Sequence, residues 1–428
     1  MMQQKKFIPC IYLLQGKAVK DLKDKTIISM NPVELAKYYD NNGADSLIIF
    51  DLSKGDTEHE TALDMIKAIC ASVEIPVTGA GNVHRMEDIK KLLYAGCRQA
   101  ALNYSKAENI AITEEVSLKF GKEKIAVCYN GADAIHEHKD LIENYVGELI
   151  LVNKAAIRES YFACSIPTII SLPEVSLDKL FEILGNASVS GITGNAVNDN
   201  AKEITAMKTM CKSNGIAVHM TEPSLTWNDF KLNSDGMLPV VVQDYKTDQV
   251  LQVAYMNEEA FQNTIRTGKM TYYSRSRNTL WVKGETSGHF QYMKSLTADC
   301  DKDTLLAKVS QVGAACHTGR YSCFFNEVIP GEYDNANPLK VFEEVLSVIK
   351  DRKVNPKEGS YTNYLFDKGI DKILKKLGEE ATEIVIAAKN PNANEIKYEI
   401  SDFLYHMMVL MVEKGVTWEE ITEELANR

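Results

Sequence analysis

Six residues between Asp299 and Cys323 could carry metal chemistry. Cys300, Cys316 and Cys323 offer soft thiolates, which suit zinc, and Asp299, Asp301 and Asp303 offer hard carboxylates, which suit magnesium. Three cysteines without an obvious fourth ligand describe a zinc with one open position, where a bound water loses its proton near neutral pH. The competing reading is three unrelated cysteines, two of them packed as small hydrophobes, and the lack of a CxxC pair gives it weight. A second acidic group follows. Glu379, Glu380 and Glu383 fall within one helical turn, and Glu399 and Asp402 share a face of the next helix. Like charges at the spacing of Glu379 and Glu383 oppose helix formation by roughly 0.2–0.5 kcal/mol. If the two helices pack antiparallel, five carboxylates converge on a hard cation such as Mg2+ carrying a diphosphate. The competing reading is a solvated glutamate-rich face.

Three kinds of segment must position these groups. Residues 1–222 alternate short apolar runs with amphipathic stretches. Candidate strands are Phe7–Leu14, Ser46–Asp51, Ile75–Thr78, Arg98–Asn103, Lys124–Asn130, Glu148–Asn153, Ile166–Ser171 and Ser188–Gly194, separated by helical patterns such as Pro32–Asn41 and Glu60–Ala71. Eight such repeats predict a (β/α)8 barrel, with an open doubly wound sheet as the alternative. Residues 223–236 read as a linker, and 237–330 as a small α+β domain. Strands such as Leu238–Tyr245, Val250–Met256, Met270–Arg275 and Phe290–Ala298 are expected in it, with one helix over Asn257–Thr267. A second linker is expected at 331–337. Residues 338–428 read as an all-α bundle, with an apolar stripe of Ile370, Ile373, Leu374, Leu377, Ala381, Ile384, Val385 and Ala388. Thr417-Trp418-Glu419-Glu420 is a capping box opening the last helix.

Composition narrows the class. The 428 residues, 45% hydrophobic and 25% charged, describe a soluble multidomain protein. The apolar run Phe7–Leu14 is too short to span a bilayer and lacks a signal-peptide layout. Nine scattered cysteines form no disulfide framework, so a reducing compartment, the cytoplasm, is expected. A net charge of -11 argues against nucleic acid or anionic membrane as partner, and leaves any phosphorylated substrate to local cations and metal ions.

The pieces VAYMNEEAF, TGKMTYYSRSR, LWVKGETSG, DCDKD and ACHTGRYSCF closely resemble phosphoribosyl-AMP cyclohydrolase of histidine biosynthesis. The resemblance implies zinc on Cys300, Cys316 and Cys323, magnesium on Asp299, Asp301 and Asp303, and a homodimer whose subunits share the zinc ligands. SYTNYLFDKGIDKILKKLGEEATEIVIAAKN and EIKYEISDFLYHMMVLM resemble phosphoribosyl-ATP pyrophosphohydrolase, an all-α nucleotide pyrophosphohydrolase. This implies magnesium on Glu379, Glu380, Glu383, Glu399 and Asp402, with Glu380 and Glu383 central to catalysis, and Lys372, Lys375 or Lys376 on phosphate; helix-face lysines are otherwise solvated surface.

Together the two resemblances imply a bifunctional hydrolase: pyrophosphate leaves phosphoribosyl-ATP, and the purine ring of the resulting phosphoribosyl-AMP is then opened between N1 and C6. His317, and after it His289, are candidates for the general acid/base, or for orienting a metal ligand from behind. Arg275 and Arg277, alternating along an expected strand, suit a phosphate, as does Lys283 of LWVKGETSG; surface ion pairs are the plainer reading. Asp299, Asp301 and Asp303 would share one face of a regular strand, with Cys300 on the other.

Residues 1–222 resemble, more distantly, the phosphoribosylformimino isomerase and the cyclase subunit of imidazole glycerol phosphate synthase, through IPCIYLLQGKAV, IIFDLSKG, IPVTGAGNVHRMEDIKKLLYAG and ALNYSKA. Where those enzymes place catalytic aspartates, this chain has Tyr12 and Asn130, and Leu172-Pro173 stands for a phosphate-binding glycine pair. A degenerate, non-catalytic barrel is expected, in which Gly79, Gly81, Asn82, Gly191 and Gly194 could still border a phosphate. Two further readings compete with the bifunctional one: a house-cleaning nucleotide pyrophosphatase with a structural zinc domain, and a non-enzymatic scaffold or sensor.

Overall fold

The computed structural model describes residues 4–426 apart from 154, 156, 161–163, 221, 330–337 and 391–392. The linker expected at 331–337 lies outside the described residues. The chain divides into two compact units, Met1–Asn326 and Glu327–Arg428.

In the first unit, eight parallel strand positions run in chain order around a sheet that closes on itself. The first position is broken by Pro9, which has no N–H for the ladder. Its piece Lys6–Ile8 pairs with Val189–Thr193, and its piece Cys10–Leu14 pairs with Leu47–Asp51. Both neighbours of the first position are thereby satisfied, which fits a (β/α)8 barrel. Between them run Val77–Ala80, Gln99–Asn103, Ile125–Tyr129, Glu148–Leu151 and Thr168–Ser171. Strand Leu47–Asp51 is buried at every position, as a barrel strand with a filled interior on one side and helices on the other must be. Ile8, Cys10, Tyr12, Ile48, Phe50 and Ile150 are among the residues filling the interior.

The rest of this unit is a four-stranded sheet ordered Val250–Met256, Leu238–Asp244, Leu305–Gln311, Gln291–Ala298, plus the hairpin Thr271–Ser274 with Thr279–Val282. Helix Glu258–Thr267 is capped by Asn257, whose side chain accepts the Ala260 N–H at 2.9 Å, and stops at Gly268 with φ +69°. Within residues 223–236 a buried Trp227 packs on Phe230 and Phe261, with ring centroids 6.0 and 5.6 Å away. The sheet meets the barrel at the N-terminal ends of the barrel strands: Lys294 pairs with Glu74 at 3.1 Å, just before strand Val77–Ala80.

The second unit is helical: Pro338–Val354, Tyr361–Lys368, Ile370–Ala387, Ala393–Lys414 and Trp418–Ala426. The capping box forms, with Thr417 N–H on Glu420 at 2.8 Å and Glu420 N–H on Thr417 Oγ1 at 3.3 Å. Helix Ile370–Ala387 corrects one expectation. Of its apolar stripe only Ile373 is fully buried, while Leu374 and Val385 are 48% and 63% exposed. One neighbouring helix covers only part of so broad a stripe.

Candidate active sites

In the first unit a cavity of about 560 Å3, of nucleotide size, is lined among others by Trp281, Lys283, His289, Cys316, His317 and Cys323. The loop carrying the cysteines is held by its own backbone: Cys316 N–H donates to Arg320 O at 3.0 Å, and Cys323 N–H to Leu251 O at 2.7 Å. The Thr318 hydroxyl donates to Cys316 Sγ at 3.1 Å. That bond, the Thr318 N–H, Cys323 and the Lys283 ammonium hold the Cys316 thiol below its ordinary value against the desolvation that opposes them. Cys323 moves the other way, raised by burial and by its hydrogen bond to Cys316. Cys316 is therefore the readier thiolate of the pair.

Lys283 is buried, and its Nζ donates to Ala315 O at 2.5 Å while its charge faces both sulfurs. Burial lowers its own pKa. His317 is exposed, with Nδ1 4.0 Å from Cys316 Sγ. His289 lies over Gly313, whose φ is +61° and where an added Cβ would stand 2.7 Å from the imidazole Cδ2. Glycine is required there for both reasons.

Cys300 is exposed and does not line this cavity. It sits in a turn with Asp299, Asp301 and Asp303, whose carboxylate oxygens lie within 4.8 Å of one another. The expected regular strand is corrected here. The strand ends at Ala298, and a left-handed Lys302 (φ +62°) folds the segment so that the carboxylates meet through a turn rather than along a strand face. Desolvation would raise the Asp299 pKa, but N–H donors from Thr304, Asp303 and Lys302 bring it below the ordinary value. Arg275 and Arg277 also leave their expected strand, which ends at Ser274; both lie in the four-residue turn closed by Asn278 at φ +55°. The Arg275 guanidinium lies 3.8 Å from the Tyr255 ring centroid, and Arg277 Nε donates to Ser274 Oγ at 3.3 Å.

In the second unit, Glu380, Glu383 and Glu399 bring carboxylate oxygens within 4.8 Å of one another across helices Ile370–Ala387 and Ala393–Lys414. Glu380 is 4% exposed. Glu379 turns to Lys375 at 3.4 Å and Lys376 at 3.0 Å, and Lys376 also reaches Glu380 at 3.3 Å. The paired carboxylates, Glu379 first, raise the Lys376 pKa, and its charge relieves the repulsion among these glutamates. Lys372 lies over the Tyr364 ring, 5.9 Å from its centroid. The Asp402 side chain is not part of the three-carboxylate group.

Sequence reasoning missed His406, a buried residue behind this group. Its Nδ1 donates to Asp402 O at 2.8 Å, which leaves Nε2 to accept the Tyr361 hydroxyl at 3.0 Å; Nδ1 is also 3.7 Å from Glu380. The available signal was its place four residues after Asp402, on the same helix face.

At the barrel mouth, beside a cavity of about 400 Å3 lined among others by Leu14, Ser53 and Asn82, the expected positions make internal contacts. Tyr12 stacks on Phe50 at 5.2 Å, and Asn130 Nδ2 donates to Ser105 Oγ at 2.9 Å. Leu172 N–H is spent on Thr193 O at 2.9 Å. Gly81 and Gly194 serve close backbone approaches, since an added Cβ would stand 2.2 Å from Asp51 O and 2.5 Å from Leu172 O. The Asp51 carboxylate is taken up by Ser53, by Asn82 at 3.1 Å and by His59 Nδ1 at 2.6 Å.

Three family models match the chain: "Histidine biosynthesis protein" over residues 6–146, "Phosphoribosyl-AMP cyclohydrolase" over 252–325 and "Phosphoribosyl-ATP pyrophosphohydrolase" over 342–428. Among curated proteins the chain is similar to "Histidine biosynthesis bifunctional protein HisIE" of Thermoanaerobacter pseudethanolicus, 54% identical over 209 residues, which are 46% of this chain and 97% of that protein. The like-named proteins of Lactococcus lactis and Bacillus subtilis are 52% and 45% identical, over 45% and 47% of this chain and 88% and 95% of theirs.

Proposed function

Because the chain belongs to the family of bifunctional histidine-biosynthesis HisIE proteins, we propose that it performs two successive hydrolyses at separate sites. Water first splits phosphoribosyl-ATP between the α and β phosphates, giving phosphoribosyl-AMP and pyrophosphate. Water then adds at C6 of the purine, the N1–C6 bond breaks, and N1 takes up a proton. The observation that carries the reading is the group Glu380, Glu383 and Glu399 on two packed helices of the second unit, together with a cavity in the first unit that holds two thiols.

The donor sets fit their metals. Three carboxylates within 4.8 Å suit Mg2+, and a thiol pair beside a lysine and a hydroxyl donor suits Zn2+. Bound zinc would supply an acidified water, and bound magnesium would neutralise diphosphate charge. Glu380, Glu383 and Glu399 would hold the magnesium, joined by Glu379 and Asp402 when substrate arrives, and Lys372, Lys375 and Lys376 offer ammonium groups to phosphate. Cys316 and Cys323 would hold the zinc, with Cys300 as the third sulfur in a site whose ligands are shared between two subunits. Asp299, Asp301 and Asp303 offer a second hard-cation site. His317 at the cavity and His289 over Gly313 would move protons at N1 and at the attacking water. Arg275 and Arg277 would grip a phosphate from their turn. A homodimer also accounts for the uncovered Leu374 and Val385, which a second copy would bury.

Incubating the protein with phosphoribosyl-ATP and following pyrophosphate release and ring opening separately tests the reading. Cys316→Ser abolishes ring opening and spares pyrophosphate release; Glu383→Ala stalls the first step yet leaves added phosphoribosyl-AMP convertible. Loss of both activities in both folded variants would sink the two-site assignment.

A further inference from the structure

We propose that Tyr321 is a positioning residue for the cysteine loop, and that the base of the barrel fixes it through Asp244, Tyr245 and Glu74. The inference rests on the ring-opening role of the thiol cavity and gives the barrel a part in it.

Tyr321 stands between Cys316 and Cys323. Its hydroxyl donates to Asp244 Oδ2 at 2.7 Å. Asp244 is buried at the end of strand Leu238–Asp244. Its other oxygen accepts the N–H groups of Lys246 at 3.0 Å and Thr247 at 2.8 Å, and the Thr247 hydroxyl at 3.1 Å. A carboxylate committed to so many donors is fixed, so the tyrosine hangs from a rigid point. The backbone carries the tether onward: Ala315 N–H donates to Tyr321 O at 3.3 Å, and Ala315 O receives the Lys283 amine. The residue before Cys316 and the cation beside the thiols are thereby tied to this anchor.

The next residue faces the barrel. The Lys294 ammonium lies 5.2 Å from the Tyr245 ring centroid while pairing with Glu74 at 3.1 Å. Glu74 N–H donates to Asp40 Oδ2 at 2.9 Å, at the end of helix Pro32–Asn41. A chain of contacts thus runs from the barrel base through Glu74, Lys294, Tyr245 and Asp244 to the cysteine loop. In barrels of this kind the N-terminal face serves stability and the opposite mouth serves chemistry.

The test uses the full chain. Metal-stripped protein is titrated with zinc against a chromophoric chelator, and kcat and KM for phosphoribosyl-AMP are measured beside pyrophosphate release. Tyr321→Phe weakens zinc binding about tenfold and lowers kcat, with KM and pyrophosphate release unchanged. Glu74→Gln gives a smaller loss of the same kind, and the double variant is no worse than Tyr321→Phe, as residues on one path must be. Wild-type zinc affinity in Tyr321→Phe overturns the positioning role. Multiplying losses in the double variant overturn the link to the barrel. A wild-type chain that opens no purine ring overturns the assignment of the cavity, and this inference with it.

Discussion

Glu380, Glu383 and Glu399 reach one another from the interiors of two helices, whereas Cys316, Cys323, His289 and His317 hang from turns and loops between strands. Helix geometry sets the first group, because residues three and four apart must share a face. The second group has no such rule and depends on local bonds: Thr318 on Cys316, Lys283 on Ala315, His289 against Gly313. The helical site therefore tolerates loss of a neighbour's packing, while the loop site is spoiled by small displacements.

This contrast can be broken by substitution. Glu380→Ala lowers pyrophosphate release by more than about a hundredfold, because groups merely behind metal ligands already cost 10–100-fold. Ring opening of added phosphoribosyl-AMP is unchanged, and circular dichroism shows the helices intact; loss of helix instead would mean that the carboxylates organise the fold. Gly313→Ala removes no reacting group, yet ring opening falls about tenfold, because its Cβ must displace the His289 ring. Unaltered turnover would show that the loop absorbs the displacement.

The smallest effect concerns the barrel mouth. A hydrogen bond donated to the Asp51 carboxylate holds His59 above its ordinary value, against burial that lowers it. The His59 contribution to stability is therefore fully present below about pH 6.5, its unfolded value, and is lost as pH rises through the raised folded value. Asp51 is held below its ordinary value, so its own contribution fades only as pH falls through that depressed value. Thermal unfolding followed from pH 6 to 9 shows the decline, and His59→Gln flattens it; neither catalytic activity changes.

The same physics decides what the sequence disclosed. Barrel strands such as Leu47–Asp51 were legible because burial on two faces writes a short unbroken apolar run, and helices such as Ala393–Lys414 because one buried stripe writes a period into the chain. The carboxylates followed from that period. The turns did not: Arg275 and Arg277 were read onto a strand, and Asp299–Asp303 onto a regular face, because Asn278 and Lys302 take left-handed conformations that no period announces. Strand Leu305–Gln311 was missed although it lies between Leu238–Asp244 and Gln291–Ala298, since its partners are set by tertiary pairing. Tyr321 was missed because its partner Asp244 lies 77 residues away in the chain.

Trp227 carries a practical consequence for dissecting the molecule. Its indole closes one end of the four-stranded sheet's core, together with Phe230 and Phe261. A shortened version begun at Met237 would discard that plug and leave the Phe261 side of the helix greasy and prone to clumping. One begun ahead of Thr226 would keep it, along with the reciprocal Thr226–Asp229 bonds that seat the indole.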